Sequence, residues 1–189
     1  NDLIYVGART GRDGVGGAQM ASANLDTHDA SAVQEADAFL EKLLLEACCE
    51  LADTKWIEGM QDMGAAGLLC STSEVVLRGR KRTKKNLGAE VYLNRVPTKA
   101  QRMSPVEMLL SESQERMLIV GKRKHQEQIL NVFKKWDLEA RVIGTVTSDG
   151  KYTIVYDTPR KKNIALPMEF SEIFPDVQEQ WDAAHWKPQ

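Results

Sequence analysis

The chain has 189 residues and a formal net charge of −2, with 42% hydrophobic and 28% charged residues. This length suits one domain with a hydrophobic core, and the balance of charges gives no general attraction to nucleic acid or to an anionic membrane. No apolar run approaches the roughly 20 residues that span a bilayer, and no signal region opens the sequence. Cys48, Cys49 and Cys70 lack CxxC spacing, which predicts reduced thiols in a cytoplasmic protein.

The first half of the chain alternates between strand patterns and helix patterns. Short apolar runs predict strands, and apolar residues at three- and four-residue spacings predict amphipathic helices. The predicted elements are a strand at 3–8, a helix at 33–53, a strand at 55–61, a helix at 67–79 and a strand at 89–97. Because the chain starts at Asn1 instead of Met and enters a strand almost at once, we expect it to be a piece of a longer protein.

The second half opens with helix-start chemistry, because Ser104 can cap a helix, Pro105 suits its first turn and Glu107 can complete a capping box. The elements predicted after this helix are a strand at 115–121, a helix at 122–137 and strands at 140–147 and 151–157. Asp149 and Gly150 separate the last two strands and predict a hairpin. The tail from residue 159 onwards has little pattern. This alternation predicts an α/β or α+β domain with helices packed on a sheet.

Three polar segments are candidates for ligand binding. The glycine-rich residues 7–17 follow a strand and could hold a phosphate through backbone N–H groups; they match neither GxGxxG nor GxxxxGK[ST], and a loop with left-handed backbone positions is the alternative. Asp62 ends a predicted strand, and the small residues 64–67 leave room for Mg²⁺ and a phosphate; a cap on the next helix is the alternative. The polar residues 111–114 can bind a polar ligand or form an ordinary surface turn.

A basic run occupies residues 78–85. Such a run could follow the backbone of a nucleic acid. Because no aromatic platform accompanies it and the net charge is negative, the sequence favours a solvated loop between a helix and a strand, and no nucleic-acid partner.

Five segments in this order resemble the large subunit of phosphoribosylformylglycinamidine synthase. They are residues 7–23, "GARTGRDGVGGAQMASA"; the apolar stripe within 33–51; residues 61–68, "QDMGAAGL"; residues 110–118, "LSESQERML"; and residues 133–147, "FKKWDLEARVIGTVT". The resemblance extends from about Leu3 to about Tyr156. No single segment is specific, but five of them in order are.

The resemblance implies a fold and a domain organisation. Residues 1–158 correspond to the first C-terminal-type domain of the aminoimidazole-ribonucleotide-synthetase-like fold, which has three layers, α/β/α, around a mixed sheet. Residues 159–189 would then be a C-terminal extension or linker. The family's N-terminal-type domain, which carries its catalytic histidines and most of its ATP contacts, would lie elsewhere in the parent protein.

The resemblance also implies an ATP-dependent C–N ligase of de novo purine biosynthesis. In this family the amide oxygen of formylglycinamide ribonucleotide is phosphorylated, and ammonia from a glutaminase subunit or domain then displaces the phosphate. The product is formylglycinamidine ribonucleotide. We therefore expect Mg²⁺ as cofactor, ATP as co-substrate, the glutaminase and the remaining parent domains as partners, and no activity from this chain alone.

The resemblance assigns roles to five residues. Four of them match residues that contact the ribonucleotide: Gln34, Glu112, Ser113 and Gln114. Asp62 matches a magnesium-binding aspartate, and no catalytic residue is expected within this chain.

Some segments depart from the family pattern. Residues 35–39 read "EADAF" where the family usually has "VGDPF", and the basic run replaces a shorter glycine-rich turn. The alternatives are another enzyme of the same superfamily, such as aminoimidazole ribonucleotide synthetase, selenophosphate synthetase or thiamine-monophosphate kinase, and a non-catalytic module that binds a phosphate ligand or a partner protein.

Overall fold

The computed structural model describes residues 1–15, 36–156 and 164–169. The strands are β1 (Asp2–Gly7), β2 (Ile57–Asp62), β3 (Gly88–Tyr92), β4 (Arg116–Gly121), β5 (Ala140–Thr147), β6 (Lys151–Tyr156) and β7 (Ile164–Glu169). The helices are α1 (Ala38–Ala52), α2 (Gly67–Thr83), α3 (Pro105–Leu110) and α4 (Gln126–Lys135), with single 3-10 turns at Leu93–Arg95 and Arg123–His125. Every strand and helix predicted from the sequence has a counterpart, with bounds that differ by up to five residues; the strand predicted at 89–97 ends at Tyr92, and Leu93–Arg95 form a 3-10 turn instead.

The described strands form one seven-stranded sheet in the order β2-β4-β1-β5-β3-β6-β7. Neighbouring strands in this order are antiparallel, except for the parallel pair β3 and β6. The mixed sheet that the family resemblance implied is therefore confirmed. Strand β2, which ends at Asp62, lies at one edge of the described sheet.

The central strand β1 is buried on both faces, and its alternating side chains separate two apolar cores. Leu3 and Tyr5 pack with residues of α2 and α3 in one core. Ile4 and Val6 pack with residues of α1 and α4 in the other. Two helices thus cover each face of the sheet, which confirms the three-layer α/β/α arrangement.

The predicted start of α3 is confirmed in detail. The Ser104 hydroxyl accepts a hydrogen bond from the Glu107 backbone N–H at 3.2 Å, and the Glu107 carboxylate accepts one from the Ser104 N–H at 2.7 Å. Pro105 occupies the first turn, where its missing N–H has no helical partner to lose. This capping box holds α3 immediately before the polar residues 111–114.

The hairpin predicted for β5 and β6 is wrong. The two strands run in opposite directions as expected, but β3 lies between them and pairs with both. The connection at 148–150 therefore crosses the end of β3, where a Cβ on Gly88 would lie 2.5 Å from the Asp149 Oδ1 and 2.4 Å from the carbonyl oxygen of Lys151, the first residue of β6. Glycine is required at residue 88 because the connection passes so close to the strand. The turn signal was local, whereas the insertion of β3 depends on a distant part of the chain.

Strand β7 was not predicted from the sequence. It pairs antiparallel with β6, with Tyr156 opposite Ile164 and Lys151 opposite Glu169. The sheet therefore includes part of the tail, and the division of the chain at residue 158 stays a prediction.

Cys48, Cys49 and Cys70 are free thiols, and the cytoplasmic location inferred from their spacing stays a prediction. None of the helices that the structure describes is both long and apolar enough to cross a membrane.

The interpretation of the basic run as a solvated loop is wrong for its first part. Helix α2 continues to Thr83, so the first part of the basic run lies in its last turns. Basic side chains there interact favourably with the negative end of the helix dipole. The Arg80 guanidinium donates to the Leu87 and Gly150 carbonyl oxygens at 2.6 Å each. Arg80 thus ties the end of α2 to the crossing connection between β5 and β6.

We expect Arg80→Gln to lower the free energy of unfolding by about 2 kcal/mol, because it removes two partly buried charge-assisted hydrogen bonds. Arg78→Gln is the matched control: Arg78 is 63% exposed and pairs with Glu74 one turn away on the same helix, so its loss should cost less than about 0.5 kcal/mol. Urea unfolding of the two variants checks the difference. Equal losses of unfolding free energy in the two variants would show that the Arg80 hydrogen bonds stabilise the fold no more than a solvated ion pair does.

Candidate functional site

A cavity of about 550 Å³ lies between α1, the end of β2 and the start of β4. Two of the residues predicted to bind ligands, Asp62 and Gln114, line it together. The rest of its wall comes from both charged and apolar side chains, including Glu41, Lys42, Leu45, Cys48 and Met117. The cavity has the size typical of a small-molecule site.

Strand pairing brings Asp62 and Gln114 together. Strands β2 and β4 are antiparallel neighbours, and Asp62 lies opposite Met117 in their register. Gln114 lies two residues before Arg116, the first residue of β4, so the end of β2 and the entry to β4 open into the same space. The sequence shows both residues but not the pairing that joins them.

The Asp62 carboxylate is exposed at the end of β2. Its Oδ1 accepts a hydrogen bond from the Gln61 side-chain amide at 2.8 Å. A Cβ on Gly64 would lie 3.2 Å from the Asp62 Oδ2, so glycine at that residue leaves this oxygen open. An open carboxylate oxygen suits Mg²⁺, which often takes one or two protein carboxylates and completes its shell with water and phosphate oxygens.

Asp62 is not the cap of the following helix. The N-cap of α2 is Ala66, which makes no side-chain capping bond. Within the described ranges, no group of three or more acidic, histidine or cysteine residues could hold a metal ion. A metal at Asp62 would therefore need ligands other than such a group, for example water and phosphate oxygens, and the magnesium assignment stays a prediction.

The turn after Asp62 is held in an unusual backbone conformation. Ala66 and Gly67 have φ of 52° and 44°, in the left-handed region that disfavours residues with a Cβ. The Ala66 N–H donates to the Glu112 Oε1 at 3.2 Å. Glu112 thereby connects the residues 111–114 to the turn at 64–67.

Ser113 connects the same segment to the glycine-rich loop. It is 3% exposed, and its hydroxyl accepts a hydrogen bond from the Gly11 N–H at 2.9 Å and donates to the Asp13 carboxylate. The Lys99 ammonium lies 2.9 Å from the same carboxylate. Burial alone raises the pKa of Asp13, but the hydrogen bonds from Lys99 and Ser113 outweigh it and hold the pKa below its ordinary value. Ser113 and Asp13 therefore fix the loop, and contact of Glu112 and Ser113 with a substrate stays a prediction.

The described part of the glycine-rich loop, residues 7–15, favours the structural alternative over a phosphate cradle. The backbone N–H groups of Thr10 and Val15 donate to the carbonyl oxygens of Pro97 and Arg12, and that of Gly11 donates to Ser113. Gly14 has a φ of 69°. These three amides already have acceptors within the chain, and the loop does use a left-handed backbone position.

Arg116 was not singled out from the sequence, yet it occupies the centre of the site. It is 3% exposed, although arginine is rarely buried without partners. Burial lowers the pKa of its guanidinium, and the nearby Tyr5 hydroxyl opposes that shift. The available signal was one arginine directly before the apolar run "MLIVG", where a strand residue faces the interior.

Gln34, the remaining predicted substrate contact, lies outside the described residues. A second cavity of about 470 Å³ borders the first and shares Ala36, Ala38, Gln114 and Glu115 with it. Lys99 and Arg9 line its other side. The segment that follows Gln34 therefore forms a wall common to both cavities.

The family model for the C-terminal domain of AIR synthase-related proteins matches residues 1–157. The chain belongs to this family. It is 51% identical over 161 residues to the phosphoribosylformylglycinamidine synthase subunit PurL of Wolinella succinogenes, covering 82% of this chain and 21% of that protein. The PurL subunit of Campylobacter jejuni is 48% identical over 159 residues, with the same coverage. The chain spans about a fifth of the length of these curated relatives.

Solved structures of the family agree with the fold. T. maritima PurL complexed with FGAR is 37% identical, with a TM-score of 0.78 over 91% of this chain and 27% of that one. T. maritima PurL complexed with ATP is 35% identical, with a TM-score of 0.68 over 88% of this chain and 24% of that one. E. coli HypE, a hydrogenase maturation protein, is only 15% identical with a TM-score of 0.55 over 87% of this chain and 49% of that one, so this likeness concerns the fold alone.

Proposed function

We propose that this chain is the first C-terminal-type domain of a phosphoribosylformylglycinamidine synthase and forms one wall of its ribonucleotide site. The observation that carries the proposal is the cavity in which Asp62 and Gln114 meet. The likeness to a PurL structure that contains FGAR supports it, at 37% identity. The parent enzyme would convert formylglycinamide ribonucleotide, ATP and ammonia into formylglycinamidine ribonucleotide.

The residues of this domain bind and orient ligands in the proposed role. Gln114 is half-buried in the cavity wall, where its side-chain amide can both donate and accept hydrogen bonds to a ribonucleotide. Gln34 would add a second amide from the segment before α1. Asp62 would hold Mg²⁺ through its open oxygen, and the ion would supply positive charge beside the phosphate groups of ATP.

The remaining partners lie outside this chain. The proposed glutaminase would supply ammonia, and the existence of a structure of PurLQS from Thermotoga maritima supports an assembly around PurL. The PurL structure with ATP supports ATP as the co-substrate. Because one domain provides one side of a cleft, the other domains of the parent would close the site and supply the catalytic groups.

The isolated chain is expected to be inactive while the complete enzyme is active. The assay measures ADP formed from ATP, with Mg²⁺, ammonia and formylglycinamide ribonucleotide, for the 189-residue chain and for a complete synthase subunit containing it. One-sided binding leaves the ribonucleotide largely solvated, so the chain alone should bind it with a Kd on the order of 1 mM, worth about 4 kcal/mol. An NMR titration that follows the Gln114 side-chain amide measures this affinity.

Two results would contradict the proposal in different ways. Turnover by the isolated chain would show that the catalytic groups lie within it. A complete subunit without ribonucleotide-dependent turnover would favour the non-catalytic module, and the titration would then show whether this module binds the ribonucleotide at all.

A further inference from the structure

Four hydrogen bonds radiate from the buried side chain of Arg116 into three loops of the site. Its Nη2 donates to the Ser111 carbonyl oxygen at 2.5 Å and to the Met63 carbonyl oxygen at 3.5 Å. Its Nε donates to the Ser113 carbonyl oxygen at 2.6 Å, and its Nη1 to the Thr10 hydroxyl at 3.1 Å. One residue thus contacts the glycine-rich loop, the turn after Asp62 and the residues 111–114.

We propose that Arg116 is a positioning residue that sets the distance between the metal-binding and ribonucleotide-binding sides of the cavity. The inference rests on the proposed function, because that function gives Asp62 and Gln114 their ligands. Arg116 touches neither ligand in this role. It acts by holding the backbone of both segments.

On the metal side, Arg116 binds the residue next to Asp62 through two groups. The Met63 N–H donates to the Arg116 carbonyl oxygen at 3.1 Å, while the Arg116 side chain donates to the Met63 carbonyl oxygen. The peptide before Met63 is therefore held by the Arg116 main chain, and the peptide after it by the Arg116 side chain. Met63 is itself 3% exposed, so this anchor lies in the core and the Asp62 carboxylate projects from it.

On the ribonucleotide side, the Ser113 carbonyl belongs to the peptide that joins Ser113 to Gln114. Its hydrogen bond to the Arg116 Nε, at 2.6 Å, sets the orientation of that peptide and hence the direction in which Gln114 leaves the backbone. Ser111 is fixed by the same guanidinium at 2.5 Å. A change in Arg116 would therefore displace both sides of the cavity.

The geometry calls for arginine instead of lysine. The guanidinium is planar and rigid, with five N–H donors in fixed directions, whereas a lysine ammonium is a compact group on a flexible stem. Four acceptors on three loops match the first and not the second. Arg116→Lys would keep the buried charge and lose the fixed separation.

The test is steady-state kinetics of Arg116→Lys and Arg116→Met in the complete synthase subunit. We expect the KM for formylglycinamide ribonucleotide and the Mg²⁺ concentration at half-maximal rate to rise together by about 10–100-fold, the usual effect of losing a residue that orients ligands. Compared with Arg116→Met, the Arg116→Lys variant should recover more of the thermal stability than of these two constants.

A matched control separates positioning from general loss of stability. Ile154→Ala removes volume from the core beside β6, which three strands separate from β4 in the sheet. Ile154 is 4% exposed and lines neither cavity, so this variant should lower stability while leaving both constants near wild type. Folded Arg116 variants with unchanged constants would overturn the inference. So would equal changes in Ile154→Ala at the same loss of stability.

Amide hydrogen exchange provides a readout that does not depend on turnover. In the 189-residue chain, Arg116→Met should speed exchange at the Ala66 and Gly11 amides, which bond to Glu112 and Ser113, with little change in α4. Unchanged exchange at both amides would show that Arg116 does not hold the loops. Absence of ribonucleotide-dependent turnover in the wild-type enzyme would contradict the proposed function. The exchange rates at the Ala66 and Gly11 amides would still show whether Arg116 holds the loops together.

Discussion

Asp62→Asn in the complete enzyme is expected to lower the rate at fixed Mg²⁺ by about a hundredfold or more. Replacing a residue that only orients a metal ligand already lowers metal affinity or activity by about 10–100-fold. Asp62→Asn goes further, because it replaces a charged ligand oxygen with a neutral amide oxygen. The fold should persist, because Asp62 is exposed and the Gln61 side chain can donate to an amide oxygen as well. Rates across a Mg²⁺ titration, with circular dichroism of the variant, measure both expectations.

Asp53→Asn is the control for this substitution. Asp53 is also exposed and follows the end of α1. Its substitution therefore removes one surface carboxylate and leaves the cavity wall unchanged. A near wild-type rate and Mg²⁺ dependence for Asp62→Asn would exclude a metal ligand at this residue.

Gly67→Ala is expected to lower the free energy of unfolding by about 2–4 kcal/mol, the sum of left-handed backbone strain and a forced shift of packed atoms. Its φ is 44°, and an added Cβ would lie 1.9 Å from the Ser111 carbonyl oxygen. Ser111 is one of the Arg116 acceptors, so the shift would also move the residues 111–114. Urea denaturation of the chain measures the loss.

Gly59→Ala provides the matched comparison. An added Cβ at Gly59 meets no atom within 4 Å, so the same chemical change should alter stability by less than about 0.5 kcal/mol. Similar losses for the two variants would mean that the close approach at Gly67 is relieved by a small movement.

The parts of the fold that the sequence predicts are those decided locally. The apolar stripe of α1 and the capping box of Ser104 and Glu107 depend on residues three or four apart, and the structure confirms both. The order of strands depends on distant residues. The turn signal at Asp149 and Gly150 was read correctly as a reversal of direction, but nothing near it indicates that β3 lies in between.

In the candidate site too, the residue types could be predicted from the sequence, whereas the contacts between distant residues could not. The residue types of Asp62 and Gln114 suggested polar ligands, and the resemblance to a known family gave them roles. Their meeting in one cavity follows from the pairing of β2 with β4. Arg116 escaped notice because a lone arginine in a polar run is usually solvated, and only its 3% exposure shows that it is part of the interior.

The insertion of β3 between β5 and β6 has a consequence for how the chain folds. Two strands joined by a three-residue connection can pair locally within about 1–10 μs, yet this hairpin is absent from the described sheet. The Asp149 carboxylate still accepts hydrogen bonds from the Thr147 hydroxyl at 2.5 Å and the Lys151 N–H at 3.1 Å, so the turn itself is stable. Any local pairing of β5 with β6 would have to open before β3 could lie between them. The pairing of β3 with both strands is a non-local step, and such steps are intrinsically slower than local hairpin formation.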